Sequence, residues 1–214
     1  MHLHSAPEGI AVREHELKYH HEVHGGSDAI AYGLVEFAAW IADTFFRNRY
    51  GHRAVVLETV AAVPGMVGGM MQHFKALRHL RDDHGWIKTL LSEAENERMH
   101  LMVYVHIAKP TMFERFIIFC AQLVFGVSYF LIYLFSSKTA HRLVGYLEEE
   151  AIQSYTEYLA EVEAHHMRNI TAPDFAVLYW SLPFDARLRE VIIATRRDEM
   201  HHRDVNHAFA DRLR

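Results

Sequence analysis

The sequence predicts an all-α protein, and three observations carry that reading. From residue 28 onward apolar residues recur with helical spacing through long segments, and no region keeps the strict alternation of an extended sheet. Glu-x-x-His occurs twice, as Glu97 with His100 and Glu199 with His202, each inside one of those segments. Two more glutamates, Glu58 and Glu148, fall in two others, so that four long helices each carry an acidic group.

Residues 1–27 read as a polar arm crowded with His2, His4, His15, His20, His21 and His24, whose weak periodicity suits adventitious metal binding better than a functional site. The arm lacks the charged start and apolar run of a cleavable signal, and it is not the Arg/Ser-rich, acid-poor stretch of a transit peptide. Residues 28–214 are expected to form a single domain, since 214 residues with 50% hydrophobic content support one substantial core. Ser27 and Asp28 are candidate caps for a first helix from Ile30 to about Asn48, largely apolar apart from Glu36 and Asp43. A second helix runs from about His52 to Arg81, with a bend expected where Pro64-Gly65 and Gly68-Gly69 interrupt it. A third spans Trp86 to Ala108 and stops before Pro110. The fourth, Met112 to Phe135, is the least polar part of the chain. Ser136 and Ser137 are candidate caps for a fifth, Lys138 to about His166. Pro173 and Pro183 frame a loop, and a sixth helix runs from about Asp185 to Arg212.

On a helix, residues i and i+3 lie about 60° apart around the axis, on one face. One Glu-x-x-His pair is more often a solvated face than a site. Two such pairs, with an extra Glu from each of two further helices, are the recipe by which ferritin-like four-helix bundles build carboxylate-bridged di-iron or di-manganese centres. Glu58 is surrounded by Ala54, Val55, Val56, Leu57, Val60, Ala61, Ala62 and Val63, where a lone carboxylate is costly unless paired or metal-bound. Glu148 is chosen by phase, because Tyr155 lies two turns later on nearly the same face. Glu149 and Glu150 are assigned to a solvated face or to the surroundings of the ligands. Separations of 39, 51 and 51 residues between Glu58, Glu97, Glu148 and Glu199 put one ligand group on each of the second, third, fifth and sixth helices. Four carboxylates and two imidazoles form a hard set that suits iron or manganese. Their charges neutralise two divalent ions inside a core. The single Cys120 excludes a cysteine-ligated iron–sulfur cluster, a Cys₄ zinc site or a disulfide within the chain, consistent with a reducing compartment.

A formal net charge of −5 argues against a nucleic-acid binder. Phe116 to Phe135 is 20 consecutive residues without a charge, a transmembrane candidate by count. A single crossing there would separate Glu58, Glu97 and His100 from Glu148, Glu199 and His202, and the other helices carry too many charges to recross. A monotopic arrangement is expected instead, with this helix divided between core packing and one leaflet. In the first helix, Phe37, Trp40, Phe45 and Phe46 beside Arg47, Arg49 and Arg53 give the pattern of an interfacial anchor. The alternative is a fully buried core helix together with a dimer face.

Four segments in order carry a family resemblance: Leu57-Glu58-Thr59 with the following run to Gly69, Asn96-Glu97-Arg98-Met99-His100-Leu101, Leu147-Glu148-Glu149-Glu150-Ala151, and Asp198-Glu199 with the run from His201 to His207. From about Asp43 to His207 the chain closely resembles the alternative oxidases, the cyanide-insensitive di-iron ubiquinol oxidases of respiratory membranes. The resemblance implies two non-haem irons at Glu58, Glu97, His100, Glu148, Glu199 and His202, the histidines at times lying farther from iron than the carboxylates. It assigns Tyr155 as the redox-active or quinol-proximal tyrosine, and Asp43, Arg53 and Leu57 to the quinol pocket. Asn96, Asp198, Tyr179 and Trp180 map onto positions that orient ligands through hydrogen bonds. By residue chemistry alone, Tyr155 also reads as a core tyrosine and Arg53 as a headgroup contact.

The activity implied is oxidation of ubiquinol with four-electron reduction of O₂ to water, without proton pumping, on one leaflet of a lipid bilayer. The short start resembles a bacterial member, on the cytoplasmic face of the cytoplasmic membrane; a eukaryotic one would sit on the matrix face of the mitochondrial inner membrane. A homodimer is the expected assembly. Ala39 stands four residues before Asp43, where many members carry Arg, which removes one candidate quinol contact. Gln153 and Met200 replace residues often seen as His and Ala, and Arg197 stands where Ala is usual. The regulatory cysteine of plant members is absent, so thiol-linked activation is not expected. A plastoquinol oxidase is the nearest rival, since the quinone head group is not legible in the residues. A ferritin-like iron-storage protein would need a polar exterior, and a soluble di-iron oxygenase would not need the stretch from Phe116 to Phe135.

Overall fold

The computed structural model describes residues 14–46 and 49–213. The roles expected of Arg47, of the Phe45 and Phe46 side chains, and of the His2, His4 and His15 side chains lie outside the described residues. A single turn, α1 (Glu14–Leu17), precedes α2 (Gly26–Phe46), α3 (Tyr50–His79), α4 (Trp86–Ala108), α5 (Met112–Phe135), α6 (Ser137–Glu163), α7 (Asp174–Trp180) and α8 (Leu188–Arg212). Among the described residues the only extended pairing is an isolated bridge between Thr171 and Arg187. The fold is all-α.

α3 and α4 run antiparallel, with Gly51 against Ala108 at one end and Gly69 against Ile87 and Leu91 at the other. α6 and α8 form the second antiparallel pair, from Arg142 with Asp211 to Glu163 with Arg189. Together they make the four-helix bundle. α2 packs along α6 and α5 along α3. Ala31 and Val35 of α2 and Tyr129 and Tyr133 of α5 join Leu143 and Val144 of α6 in one buried cluster.

α3 runs unbroken through Pro64 and the glycines that follow it. Gly65 marks a close approach instead: a Cβ there would lie 2.4 Å from the Leu90 carbonyl oxygen and 2.9 Å from the Ala94 Cβ. Packing on α4 offsets the one backbone hydrogen bond that proline cannot donate. The fourth expected helix matches α5, closed at its start by a capping box of Thr111 and Glu114. Ser136 caps α6, its hydroxyl accepting from the Thr139 backbone N–H at 3.1 Å.

The first helix begins at Gly26 rather than Ile30, because Asp28 is not its cap. Its buried carboxylate accepts from the His24 backbone N–H and from Arg142 Nε, both at 3.0 Å, tying the arm and α2 to α6. The described end of the arm, around His20 and His21, lies against the bundle. Glu149 faces His20 Nδ1 at 2.6 Å and accepts from the His21 backbone N–H at 2.9 Å, while the His21 ring stacks on His207 with centroids 4.6 Å apart. Glu149 is therefore the anchor of the arm, not part of a solvated face. The last helix starts at Leu188, whose N–H donates to the Ile170 carbonyl, and the expected loop between the prolines contains α7.

α5 is not the fully buried helix of the alternative reading: Phe116, Leu123 and Val124 are 63%, 59% and 67% exposed. On α2, Phe37 and Trp40 stack on each other and are equally exposed. By length and composition α3 and α5 are both apolar enough to cross a membrane, but much of α3 is enclosed by the bundle.

Candidate metal centre

Antiparallel pairing brings Glu58 of α3, Glu97 and His100 of α4, Glu148 of α6, and Glu199 and His202 of α8 together inside the bundle, none more than 4% exposed. Their ligand atoms form two groups: Glu58, Glu97, His100 and Glu199, and Glu97, Glu148, Glu199 and His202, each within 4.8 Å. Glu97 and Glu199 belong to both. That is the arrangement of two adjacent cation seats sharing two carboxylates, each seat completed by one further Glu and one His. Helical phase in the sequence gave no sign of which glutamates are shared.

His100 Nδ1 lies 3.3 Å from Glu58 Oε2, 3.5 Å from Glu97 Oε2 and 3.2 Å from Glu199 Oε1. His202 Nδ1 lies 2.5 Å from Glu97 Oε1 and 3.6 Å from Glu199 Oε2. Yet Glu58 Oε2, both Glu97 carboxylate oxygens, Glu199 Oε2 and the two Nδ1 atoms are buried without a hydrogen-bond partner. Buried polar atoms are rarely left so. Lone pairs converging from four helices fit divalent cations, and the oxygen-rich donor set fits iron or manganese.

The protonation balance agrees. Burial pushes the Glu58 and Glu148 carboxyls well above the usual range, and the charges of Glu199 and Glu97 push them further. Burial also acts to raise Glu97, but the His100 and His202 imidazoles outweigh it and hold that carboxyl well below the usual range. Against the effect of burial, the surrounding carboxylates carry both histidines well above an ordinary imidazole. Cations and protons thus compete for the same atoms.

Asn96, Asp198, Tyr179 and Trp180 form one network behind His100. Asp198 Oδ2 faces His100 Nε2 at 3.3 Å and accepts from Trp180 Nε1 at 2.7 Å and Asn96 Nδ2 at 3.1 Å. Asn96 Nδ2 also donates to the Tyr179 hydroxyl at 2.8 Å. Burial acts to raise Asp198, while the His100 contact and these donors hold it below its ordinary value. The helix missed in the sequence, α7, is what delivers Tyr179 and Trp180.

Tyr155 is fully buried, and its hydroxyl donates to Glu58 Oε1. Burial, then the Glu58 charge, pushes its phenol well above the usual range. Asp43 and Arg53 form an ion pair between α2 and α3, with the Arg53 side chain buried and half-buried Leu57 one turn further along α3. A buried Arg53 is not a free headgroup contact; Arg49, paired with Glu114, is the more exposed arginine.

Sequence reasoning missed a buried polar line on the His202 side. Asn206 Nδ2 donates to Glu93 Oε2 at 3.1 Å and to the His202 carbonyl at 3.0 Å. Asn206 Oδ1 faces His141 Nδ1 at 3.0 Å, and His141 Nε2 faces the Tyr133 hydroxyl at 3.2 Å, which accepts from Gln72 Nε2 at 3.0 Å. Burial pushes Glu93 up to about 7 and His141 down to about 4. The available signal was spacing: Glu93 precedes Glu97 by one turn, and Asn206 follows His202 by one turn, on the ligand-bearing faces.

A four-helix bundle with two cation seats sharing two glutamates defines a ferritin-like dimetal carboxylate protein. The match to the alternative oxidase family extends over residues 11–211, and the chain belongs to that family. It is 56% identical over 196 residues to the mitochondrial ubiquinol oxidase 1a of Arabidopsis thaliana, covering 92% of this chain and 55% of that protein. It is 56% identical over 187 residues to the mitochondrial ubiquinol oxidase of Batrachochytrium dendrobatidis, covering 87% of this chain and 59% of that protein. Ubiquinol oxidase 2 of Nicotiana tabacum is 54% identical over 92% of this chain and 66% of its own length. The chain thus spans little more than half the length of the first two relatives.

Proposed function

We propose that this chain is a cyanide-insensitive ubiquinol oxidase reducing O₂ to water at two non-haem irons held by Glu58, Glu97, His100, Glu148, Glu199 and His202. The observation that carries the reading is the pair of cation seats sharing Glu97 and Glu199, in a chain whose relatives are named ubiquinol oxidases. Iron, when bound, supplies the redox chemistry of O₂. The protein's own part is placement. Asp198, held by Asn96 and Trp180, fixes the ring and tautomer of His100. Tyr155 is set to give up an electron while its proton passes to Glu58. Asp43, Arg53 and Leu57 are assigned to the quinol, which enters from the lipid side through α2 and α5. Nothing in this scheme moves charge across the bilayer, so no proton pumping is expected.

The exposed surfaces support a reading of the assembly. Residues 28–214 act as one domain, attached to one leaflet by the exposed apolar residues of α2 and α5. Met66, Met70, Phe74 and Leu77 make an exposed stripe at helical spacing on α3, the face assigned to a homodimer. The membrane is that of a respiratory chain, on the cytoplasmic face in a bacterium or the matrix face in a mitochondrion.

The test is O₂ uptake by the protein in lipid vesicles with cyanide, offering ubiquinol or plastoquinol. Cyanide-resistant uptake with ubiquinol, abolished in Glu58→Ala, is the expected result. Full activity in Glu58→Ala would remove the di-iron assignment. A strong preference for plastoquinol would favour the plastoquinol oxidase, and iron uptake without quinol oxidation would favour the storage protein.

A further inference from the structure

Four tyrosines form a continuous series of ring contacts leading from the metal centre toward the start of α3. Tyr155 stacks on Tyr104 with ring centroids 5.3 Å apart, Tyr104 meets Tyr158 at 6.5 Å, and Tyr158 stacks on Tyr50 at 5.6 Å. Each step is an ordinary contact between aromatic rings. Tyr155, Tyr104 and Tyr158 are buried, and Tyr50 reaches solvent in part. Packing accounts for the rings but not for the hydroxyls. Phenylalanine would fill the same space without burying a polar group, which is costly unless compensated. The Tyr104 hydroxyl, for one, is held by a bond to Thr195 Oγ1 at 3.2 Å. What a phenol offers beyond a phenyl ring is the ability to lose an electron and a proton.

We propose that Tyr104, Tyr158 and Tyr50 form a conduit that carries an unused oxidising equivalent from Tyr155 to the surface, protecting the buried site when quinol is scarce. This rests on the reading in which Tyr155 gives up an electron during O₂ reduction. Tyr155 then loses one electron to the O₂-reacting centre and its proton to Glu58. If quinol does not restore it, Tyr104 supplies the electron and Tyr155 recovers its proton from Glu58. Tyr158 restores Tyr104, and Tyr50 restores Tyr158. Tyr104, hydrogen-bonded to Thr195 Oγ1, and Tyr158 pass the electron inward while keeping their phenolic protons, and Tyr50 alone releases one, to solvent. In sum, Tyr155 is reformed and Tyr50 has lost one electron inward and one proton to solvent. A soluble thiol or ascorbate-class reductant returns Tyr50 to the phenol.

The test mixes iron-loaded, chemically reduced protein with O₂ in the absence of quinol. Freeze-quench EPR on protein carrying ring-deuterated tyrosine follows the radical, and peptide mapping finds where a nitroso spin trap attaches. The parent protein should give a short-lived tyrosyl signal and an adduct at Tyr50. Tyr158→Phe should keep its iron content and steady-state quinol oxidation, lose the Tyr50 adduct, and lengthen the radical lifetime by on the order of tenfold or more. Tyr104→Phe should confine the signal to Tyr155. An unchanged lifetime with an undiminished Tyr50 adduct in both variants overturns the conduit and leaves the role of Tyr155 standing. Absence of a tyrosyl signal in the parent, or the same signal in Tyr155→Phe, refutes the role of Tyr155 and the conduit with it.

Discussion

Glu97 and Glu199 each belong to both groups of potential ligands, so they should matter to metal binding differently from Glu58 and Glu148. Glu97→Gln or Glu199→Gln is expected to empty both seats, whereas Glu58→Gln or Glu148→Gln should leave one metal per chain. Metal analysis of the purified variants checks this, and equal loss from all four would contradict the sharing. Asp198→Asn removes the carboxylate behind His100 and should lower metal affinity or turnover by about 10–100-fold. Glu93 makes a pH-dependent case. Burial raises its folded-state value from 4.5 to about 7, so the folded metal-free protein holds this proton more tightly than the unfolded chain. Stability is therefore lost as pH rises from 4.5 through about 7. Glu93→Gln should melt above the parent at pH near 8, with the difference shrinking toward pH near 5; a difference independent of pH would count against it. At this scale the convergence of the six residues was legible, because two Glu-x-x-His pairs in helical segments and a carboxylate in an apolar run are costly to bury unless they share partners. Glu93 and Asn206 were not: a polar residue one turn from a ligand looks solvated until the inner face of its helix is known.

The helices were legible wherever sequence supplies a chemical stop. Thr111 with Glu114 and Ser136 mark α5 and α6 by their hydroxyls and carboxylate. Pro64 sits inside an unbroken α3, its local cost offset by close packing on α4, and α7 was hidden because seven residues between prolines carry little periodicity. The contact role of Gly65 is open to test. Gly65→Ala drives a methyl against the Leu90 carbonyl and should destabilise by about 1–3 kcal/mol. At Gly126 the added Cβ would meet Val63 Cγ1 at 3.7 Å, an ordinary contact, so Gly126→Ala serves as the tolerant control. Denaturant unfolding of both variants decides, and an unperturbed Gly65→Ala would mean that α3 and α4 are less closely fitted there.

For the whole molecule, the apolar faces of α2 and α5 should hold the protein on membranes until detergent is added. Leu123→Glu with Val127→Glu places charges on the exposed face of α5 and should shift the protein toward the soluble fraction without changing its melting temperature. Undiminished sedimentation of that variant would place the attachment elsewhere. Both ends of the chain should be open to protease from one side of sealed vesicles, and cleavage from opposite sides would overturn the monotopic arrangement.

The central claim is that two metals sharing Glu97 and Glu199, beside an oxidisable Tyr155, reduce O₂ completely. It is tested most directly by the ratio of ubiquinol oxidised to O₂ consumed, with cyanide present and hydrogen peroxide monitored. Two quinols per O₂ without peroxide is the expected result. One quinol per O₂ with peroxide accumulating would contradict four-electron chemistry at this site.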